Sequence, residues 1–262
     1  MSLSRETALI TGASSGIGAE IARILAARGC NLILVARRRP RLQELAASIQ
    51  SAHAVEISII EHDLAQAHGA DTLWEKVRGS GAQVDILINN AGVGMSGAFA
   101  AADAAATEAM LELDIVALSM LCRHALPDML ARRHGRILNL SSLAGYQGAG
   151  PGMTAYYAAK AYVLSFTRGL AAELRGSGVT ATALCPGPTS TEFESTAGAR
   201  SLRLFRWMPV SDARSVAAAG VAAMFAGREK IVPGLVNKIL AFAGEIPPRR
   251  ASVEVNRILL RP

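Results

Sequence analysis

The chain has 262 residues, 51% of them hydrophobic, with 27 Lys and Arg against 21 Asp and Glu and a net charge of +6. This length suits one large domain over 1–262 that needs no disulfide or metal staple, and the longest uncharged apolar run, Val216 to Ala226, is far short of the roughly 20 residues that cross a bilayer. The cations gather at 37–41, 132–134 and 200–206, and solvated faces plus one phosphate pocket account for them better than nucleic-acid binding does.

Arg5 and Glu6 lead straight into an apolar run, which argues against a signal peptide. The first predicted strand is TALIT (Thr7–Thr11), and a glycine-rich loop, TGASSGIG (11–18), follows it and opens a helix at 18–28. NLILVA (Asn31–Ala36) is the second strand, ending in VARRR, and Pro40 sits well at the start of a helix over 41–51. EISIIE (56–61), DILIN (85–89), RILNL (136–140) and TATALC (180–185) complete the strand list. Each run is short and mostly apolar throughout, as expected of strands covered on both faces. Strand and helix alternate, so the chain predicts an α/β fold, a doubly wound parallel sheet with helices on both faces. Ligands of such sheets sit at the carboxyl ends of the strands. Cys30, Cys122 and Cys185 are odd in number and far apart, which points to reduced thiols in a cytoplasmic protein, with no bridge and no metal site. The stretch 189–208 lacks strong periodicity and reads either as a flap over the site or as an ordinary surface excursion.

The loop after the first strand carries the first chemistry. Gly12 allows the turn off the strand, Gly16 lets backbone approach a pyrophosphate, and Gly18 lets helix pack closely on sheet. The helix N-terminus then offers N–H groups and a positive dipole end to phosphates. At the end of the second strand an NAD site places a carboxylate on the ribose 2′-hydroxyl, whereas NADP needs a cation for the 2′-phosphate. Arg37 and Arg38 stand there, with no Asp or Glu, so NADP(H) is the expected coenzyme.

The spacing Gly-x3-Gly-x-Gly departs from the common Gly-x-Gly-x-x-Gly, and further motifs follow in register: NNAG at 89–92, SS at 141–142, YYAAK at 156–160 and PGPTSTEF at 186–193. Together these resemble the short-chain dehydrogenase/reductase family over about 7–193. The resemblance implies a Rossmann-type sheet of about seven strands, a nicotinamide coenzyme, and a homodimer or homotetramer. It implies coenzyme contacts from Gly12, Ser14, Ser15, Gly16, Ile17 and Gly18, from Asp63 at the adenine, and from Asn90, Ala91 and Gly92 on the adenosine side. It adds Pro186, Gly187, Thr189 and Thr191 as coenzyme contacts, with Tyr156 and Lys160.

Tyr156 and Lys160 share a helical face. A free tyrosine ionises near pH 10, and a neighbouring ammonium and an oxidised nicotinamide both favour the phenolate. Tyr156 is therefore the expected acid/base, with Lys160 also bonding the ribose hydroxyls and Ser142 bonding the substrate oxygen, as the resemblance implies. Tyr157 lies three residues from Lys160 and reads as packing or substrate wall. In the preceding helix the family usually carries an Asn that holds a proton-relay water. Here LELDIVAL puts Asp114 in that place, able to accept from such a water and to pair with Lys160, but without the amide donor.

The loop between Ser142 and Tyr156 is one residue longer than the family's usual one. Val93, Met95, Leu143, Tyr146 and Met153 favour a hydrophobic alcohol or ketone. The segment 230–262 is atypical. Leu235, Val236, Ile239, Leu240 and Phe242 form an apolar helical face beside Lys238 and Arg249–Arg250, which suits core packing first, and otherwise a substrate lid, a subunit contact or a membrane-surface contact. A coenzyme-binding protein with little turnover is the main rival to an enzyme; a sugar-nucleotide epimerase shares the Tyr-Lys pair but needs a larger C-terminal domain.

Overall fold

A computed structural model of the chain describes residues 6–192, 208–245 and 256–259. The elements run β1 (Thr7–Thr11), α1 (Gly16–Ala27), β2 (Asn31–Ala36), α2 (Arg39–Gln50), β3 (Ile57–Glu61), α3 (Gly69–Gly79) and β4 (Ile86–Asn89). There follow α4 (Ala104–Leu111), a π-helical turn (Glu112–Ala117), α5 (Leu118–Arg132), β5 (Gly135–Leu140), α6 (Thr154–Glu173) and β6 (Val179–Leu184). A two-residue pair, β7 (Thr189–Ser190) and β8 (Ser211–Asp212), precedes α7 (Ala213–Phe225), β9 (Lys230–Ile231) and α8 (Leu235–Glu245). All six predicted strands are present within a residue of the expected limits. The two predicted helices begin two residues early, because Gly16 already takes the first turn of α1 and Pro40 lies inside the first turn of α2.

Seven strands form one parallel sheet in the order β3-β2-β1-β4-β5-β6-β9. Alternate residues of each central strand feed opposite layers, which is why the sequence reads as unbroken apolar runs. Ala8, Ile10, Leu32, Leu34, Ile86 and Ile88 pack toward α1, α2 and α7. Leu9, Ile33, Val35 and Leu87 pack toward α3, α5 and α6. Each such Leu or Ile contributes about 1.5–3 kcal/mol on full burial. The edge strand β3 departs from the expected double cover, since it has one neighbour and leaves Ser58 and Glu61 exposed. The order reverses between β1 and β4, so their carboxyl ends part and leave a crevice there.

The basic cluster at 132–134 is spent on the fold. Arg132 donates to Val84 O and pairs with Asp85 at 3.1 Å, and His134 pairs with Glu6 at 2.6 Å. Of the expected flap over 189–208, residues 193–207 lie outside the described residues, as do the cations at 200–206 and Arg249–Arg250. None of the described helices is long and apolar enough to cross a membrane.

Core packing of the C-terminal apolar face is corrected. Leu235, Ile239 and Phe242 of α8 are 75%, 60% and 68% exposed, Val236 is exposed too, and Leu240 alone of the five packs against the interior. The buried side of α8 is instead Asn237, Ala241 and Gly244. These small residues let the helix lie directly on the turn at 143–146, where a Cβ on Gly244 would strike the Tyr146 carbonyl. Gly244→Ala is therefore expected to lower stability by about 1–3 kcal/mol, seen as a lower Tm in calorimetry. An unchanged Tm would mean that α8 is not seated through this contact.

Candidate active site

A cavity of about 380 Å³ opens at the crevice, within the size range of small-molecule sites. Its first wall is the glycine loop. Gly12 has φ +65° and Gly16 φ +56°, and a Cβ on Gly12 would lie 2.7 Å from the Asn90 amide. Ser14, Ser15 and Ile17 line the same wall. No side chain caps α1 and no acid stands in its first turn, so its leading N–H groups have no acceptor from the helix's own side chains. Gly18 does not line the cavity. Its place is structural, since a Cβ there would run into the Asn90 amide and the Gly12 carbonyl.

The loop is tied down from β4. Thr11 Oγ1 accepts from the N–H groups of Asn90 and Ala91, both at 3.0 Å, and the Asn90 amide donates to Thr11 O and Gly12 O, again at 3.0 Å each. Asn90 thus spends its side chain on the loop while its flank, with Ala91 and Gly92, lines the cavity. Arg37, Arg38 and Asp63 line the far end. Arg38 donates to Ser14 Oγ and Ser15 Oγ at 3.1 Å each and pairs with Glu192 at 2.7 Å. That hydrogen bond from Arg38 holds the Glu192 carboxyl below its ordinary range. Glu192 carried no role in the sequence reading. It comes from 154 positions away; the motif at 186–193 that contains it pointed to the site, but not to Arg38 as its partner.

At the inner end, Pro186, Gly187, Thr189 and Thr191 face Ser142, Tyr156 and Lys160 across the cavity. Ser142 stands where β5 leaves the sheet and hydrogen-bonds the Tyr156 phenol. Lys160 Nζ lies 5.7 Å from the Tyr156 ring centroid. Tyr157 packs edge-on to Tyr156 at 77° and also lines the cavity. α6 is fixed to β5 where Ser141 Oγ donates to Lys160 O at 2.8 Å. Val93, Leu143 and Met153 line the cavity as expected. Met95 and Tyr146 do not. Met95 packs against the layer around Met110 and Tyr157, and Tyr146 is buried under α8.

Asp114 does not reach the cavity surface. It is fully buried in the π-helical turn, with Oδ2 2.8 Å from Lys160 Nζ and Oδ1 accepting from Val93 N–H at 2.9 Å. Lys160 Nζ also donates to Leu140 O at 3.3 Å. The sequence reading foresaw Asp114 chiefly as acceptor for a relay water; here it takes the ammonium directly. Gly92 makes room, as a Cβ there would lie 3.1 Å from Asp114 Oδ1 and 3.2 Å from Lys160 Nζ. Burial acts to lower the Lys160 ammonium's pKa, but the Asp114 carboxylate and Tyr156 outweigh it and the net shift is upward. Tyr156 is also shifted upward. Burial dominates, Lys160 and Ser142 oppose it, and Asp114 adds to it. The expected lowering of Tyr156 by its ammonium is therefore outweighed in the coenzyme-free chain.

Comparison with known proteins places these features in a family. The profile described as short chain dehydrogenase matches residues 6–201. An uncharacterised oxidoreductase of Staphylococcus saprophyticus is 39% identical over 191 residues, covering 72% of this chain and 80% of that one. Nodulation protein G of Azospirillum brasilense is 36% identical over 192 residues, 72% of this chain and 77% of its own. Among solved structures, a short-chain dehydrogenase from Sphingobium yanoikuyae in complex with NADPH superposes with a TM-score of 0.82 at 33% identity, covering 91% of this chain and 92% of that one. The bulky-bulky ketone specific alcohol dehydrogenase from Comamonas testosteroni gives 0.76 at 31% identity, covering 96% and 92%.

The loop geometry yields a direct test. Gly12→Ala puts a side chain at positive φ and into the Asn90 amide, a strain of about 1–3 kcal/mol. Dinucleotide affinity is expected to fall on the order of tenfold in a fluorescence titration. Unchanged affinity would remove the loop from the binding site.

Proposed function

The chain belongs to the short-chain dehydrogenase family and is an oxidoreductase, and from that premise we propose that it moves a hydride between NADP(H) and the carbonyl or secondary-alcohol carbon of an apolar substrate. The observation that carries this reading is the convergence of Ser142, Tyr156 and Lys160 at one end of a cavity whose other end holds the glycine loop, Arg37 and Arg38.

The residues present fit a dinucleotide: a side-chain-free cradle at Gly12 and Gly16, an uncapped helix start, and cations at the far end. The bound coenzyme supplies or takes the hydride. Ser142 orients the substrate oxygen with its hydroxyl. Tyr156 gives that oxygen a proton during reduction and takes one during oxidation. The Lys160 ammonium has three donors; it is ion-paired with Asp114 and donates to Leu140 O, and it keeps a donor for a ribose hydroxyl.

NADP(H) over NAD(H) is supported by Arg38, which is braced by Ser14 and Ser15 and paired with Glu192, a carboxylate that a 2′-phosphate can replace. The NADPH complex of the Sphingobium relative points the same way. The apolar substrate class is supported by Val93, Leu143, Met153 and Tyr157 at the inner end, and by the ketone specificity of the Comamonas enzyme. The exposed Leu235, Ile239 and Phe242 support a homodimer or homotetramer, and three free, buried cysteines support a reducing cytoplasm. Asp114 favours one rival, a coenzyme-binding protein without turnover, whose signature is NADPH binding with no absorbance loss across ketones, aldehydes and acyl thioesters.

NADP(H) is expected to bind much more tightly than NAD(H), and Arg37→Asp to narrow or invert the preference. Equal dissociation constants in the parent protein would sink the coenzyme assignment.

Tyr156→Phe is expected to cut turnover by about 10²–10⁴-fold while coenzyme still binds, because Lys160 and the glycine loop remain. Tyr157→Phe is expected to keep most of the rate, with a higher KM where its ring touches substrate. Steady-state NADPH oxidation and a fluorescence titration read both variants. An inactive Tyr157→Phe beside an active Tyr156→Phe overturns the assignment.

A further inference from the structure

We propose that Asp114 is a positioning residue that claims the Lys160 ammonium for itself and thereby sets the site to deliver a proton to a carbonyl oxygen rather than to take one from an alcohol. The proposal rests on the reading of Tyr156 as acid/base and deepens it by naming the direction the site is built for.

The argument is one of charge balance at close range. Lys160 Nζ is held between Asp114 Oδ2 at 2.8 Å and Leu140 O at 3.3 Å, and the two side chains are 6% and 0% exposed. An uncompensated ammonium beside a phenol stabilises the phenolate, while an ammonium cancelled by a carboxylate in the same dry space does so far less. The carboxylate is locked in place. Its second oxygen accepts from Val93 N–H at 2.9 Å, and Gly92 lets both charged groups press against the backbone. The π-helical turn over Glu112–Ala117 holds Asp114 in this buried position, and such turns mark functional stretches of helices.

The other groups that act on the pair carry no charge at neutral pH. Ser142 reaches Tyr156 from the end of β5, Tyr157 lies beside it on α6, and Cys185 approaches Lys160 from the end of β6 with its thiol pushed up to about 12 by burial. Among the described residues Asp114 is therefore the one anion in this set. In the reduction, the Tyr156 O–H bond breaks and an O–H bond to the substrate oxygen forms as the substrate carbon gains the hydride from the reduced coenzyme. The products are the alcohol, the oxidised coenzyme and a phenolate that takes a proton back from solvent. A phenol that keeps its proton at neutral pH serves this step at its full concentration. The reverse step needs the phenolate and gains tenfold per pH unit until the phenol titrates.

The experiment compares the parent with Asp114→Asn. The pH profile of oxidative kcat/KM is expected to rise through neutral pH in the parent, and its acid limb to move toward lower pH in the variant. Oxidative turnover at pH 7 then increases on the order of tenfold. A direct readout needs no substrate: the tyrosinate ultraviolet band is titrated in each protein, with Tyr156→Phe as the blank, and the Tyr156 contribution should appear at lower pH in Asp114→Asn. Asp114→Ser, smaller and equally neutral, must shift in the same sense, so a folding defect in one variant does not stand in for the effect. A Tyr156 titration that is unmoved or moves upward in both variants overturns the proposal. Failure of the parent to reduce any carbonyl would instead sink the proposed function, and the tyrosinate titration would still decide the role of Asp114.

Discussion

A lysine ammonium buried at the carboxyl edge of a parallel sheet has to be compensated, and this requirement organises the inner half of the site. Burying an unpaired charge costs several kcal/mol, and breaking an established buried pair costs about 3–5 kcal/mol. Asp114 meets the demand at 2.8 Å, and the local backbone is arranged around the meeting. Gly92 leaves room for both head groups, the Val93 N–H satisfies the second carboxylate oxygen, and the Leu140 carbonyl takes a further ammonium proton. Gly145 does similar work behind α6, where a Cβ would sit 2.6 Å from the Lys160 carbonyl oxygen. Four separate stretches of chain, near 92, 114, 140 and 160, are thus fixed relative to one another by one ion pair.

The outer half is organised by neutral hydrogen bonds instead. Thr11 and Asn90 join the ends of β1 and β4 through four contacts of 3.0 Å. The crevice exists because these two strands diverge to opposite helices, yet the same ends must stay in register for the glycine loop to hold its shape. Beneath them Asn89 donates to Asn139 at 2.9 Å and Asn139 to Thr167 at 3.0 Å, tying β4, β5 and α6 together inside the apolar layer. Polar groups in such a layer stabilise one arrangement and penalise the alternatives, because each shift would strand a buried donor.

The sheet was largely legible in the chain because its strands are covered on both faces, so an unbroken apolar run such as NLILVA reports burial directly. β9 was not, since two residues, Lys230 and Ile231, paired only with Ala183 and Leu184, leave no periodicity to detect. The glycine loop and the Tyr156–Lys160 pair were legible because their spacing is local. Contacts set by the fold were legible only in part: Asp114 could be read as a partner for Lys160, but not that a π-helical turn buries it completely, and nothing local showed that Glu192 meets Arg38 across 154 positions. The misreading of α8 has a similar cause. Its apolar residues Leu235, Ile239 and Phe242 do share a face, but closeness to Tyr146 required small residues, so Ala241 and Gly244 turned inward. A hydrophobic stripe says which side seeks cover, and steric fit decided which side received it within the chain.

The two ion pairs of the cavity stand in contrast, and the contrast follows from solvent. Arg38 and Glu192 meet at 2.7 Å with side chains 46% and 49% exposed. Surface pairs of that kind contribute about 0–1 kcal/mol, since water screens them and two long side chains lose freedom in making them. A dianionic phosphate, with more charge and a geometry that matches the guanidinium fork, would compete with such a carboxylate at small cost. Lys160 and Asp114 meet at a similar distance in the absence of water, and no ligand contact repays their separation. The same chemistry therefore serves as an exchangeable contact at one end of the cavity and a permanent one at the other.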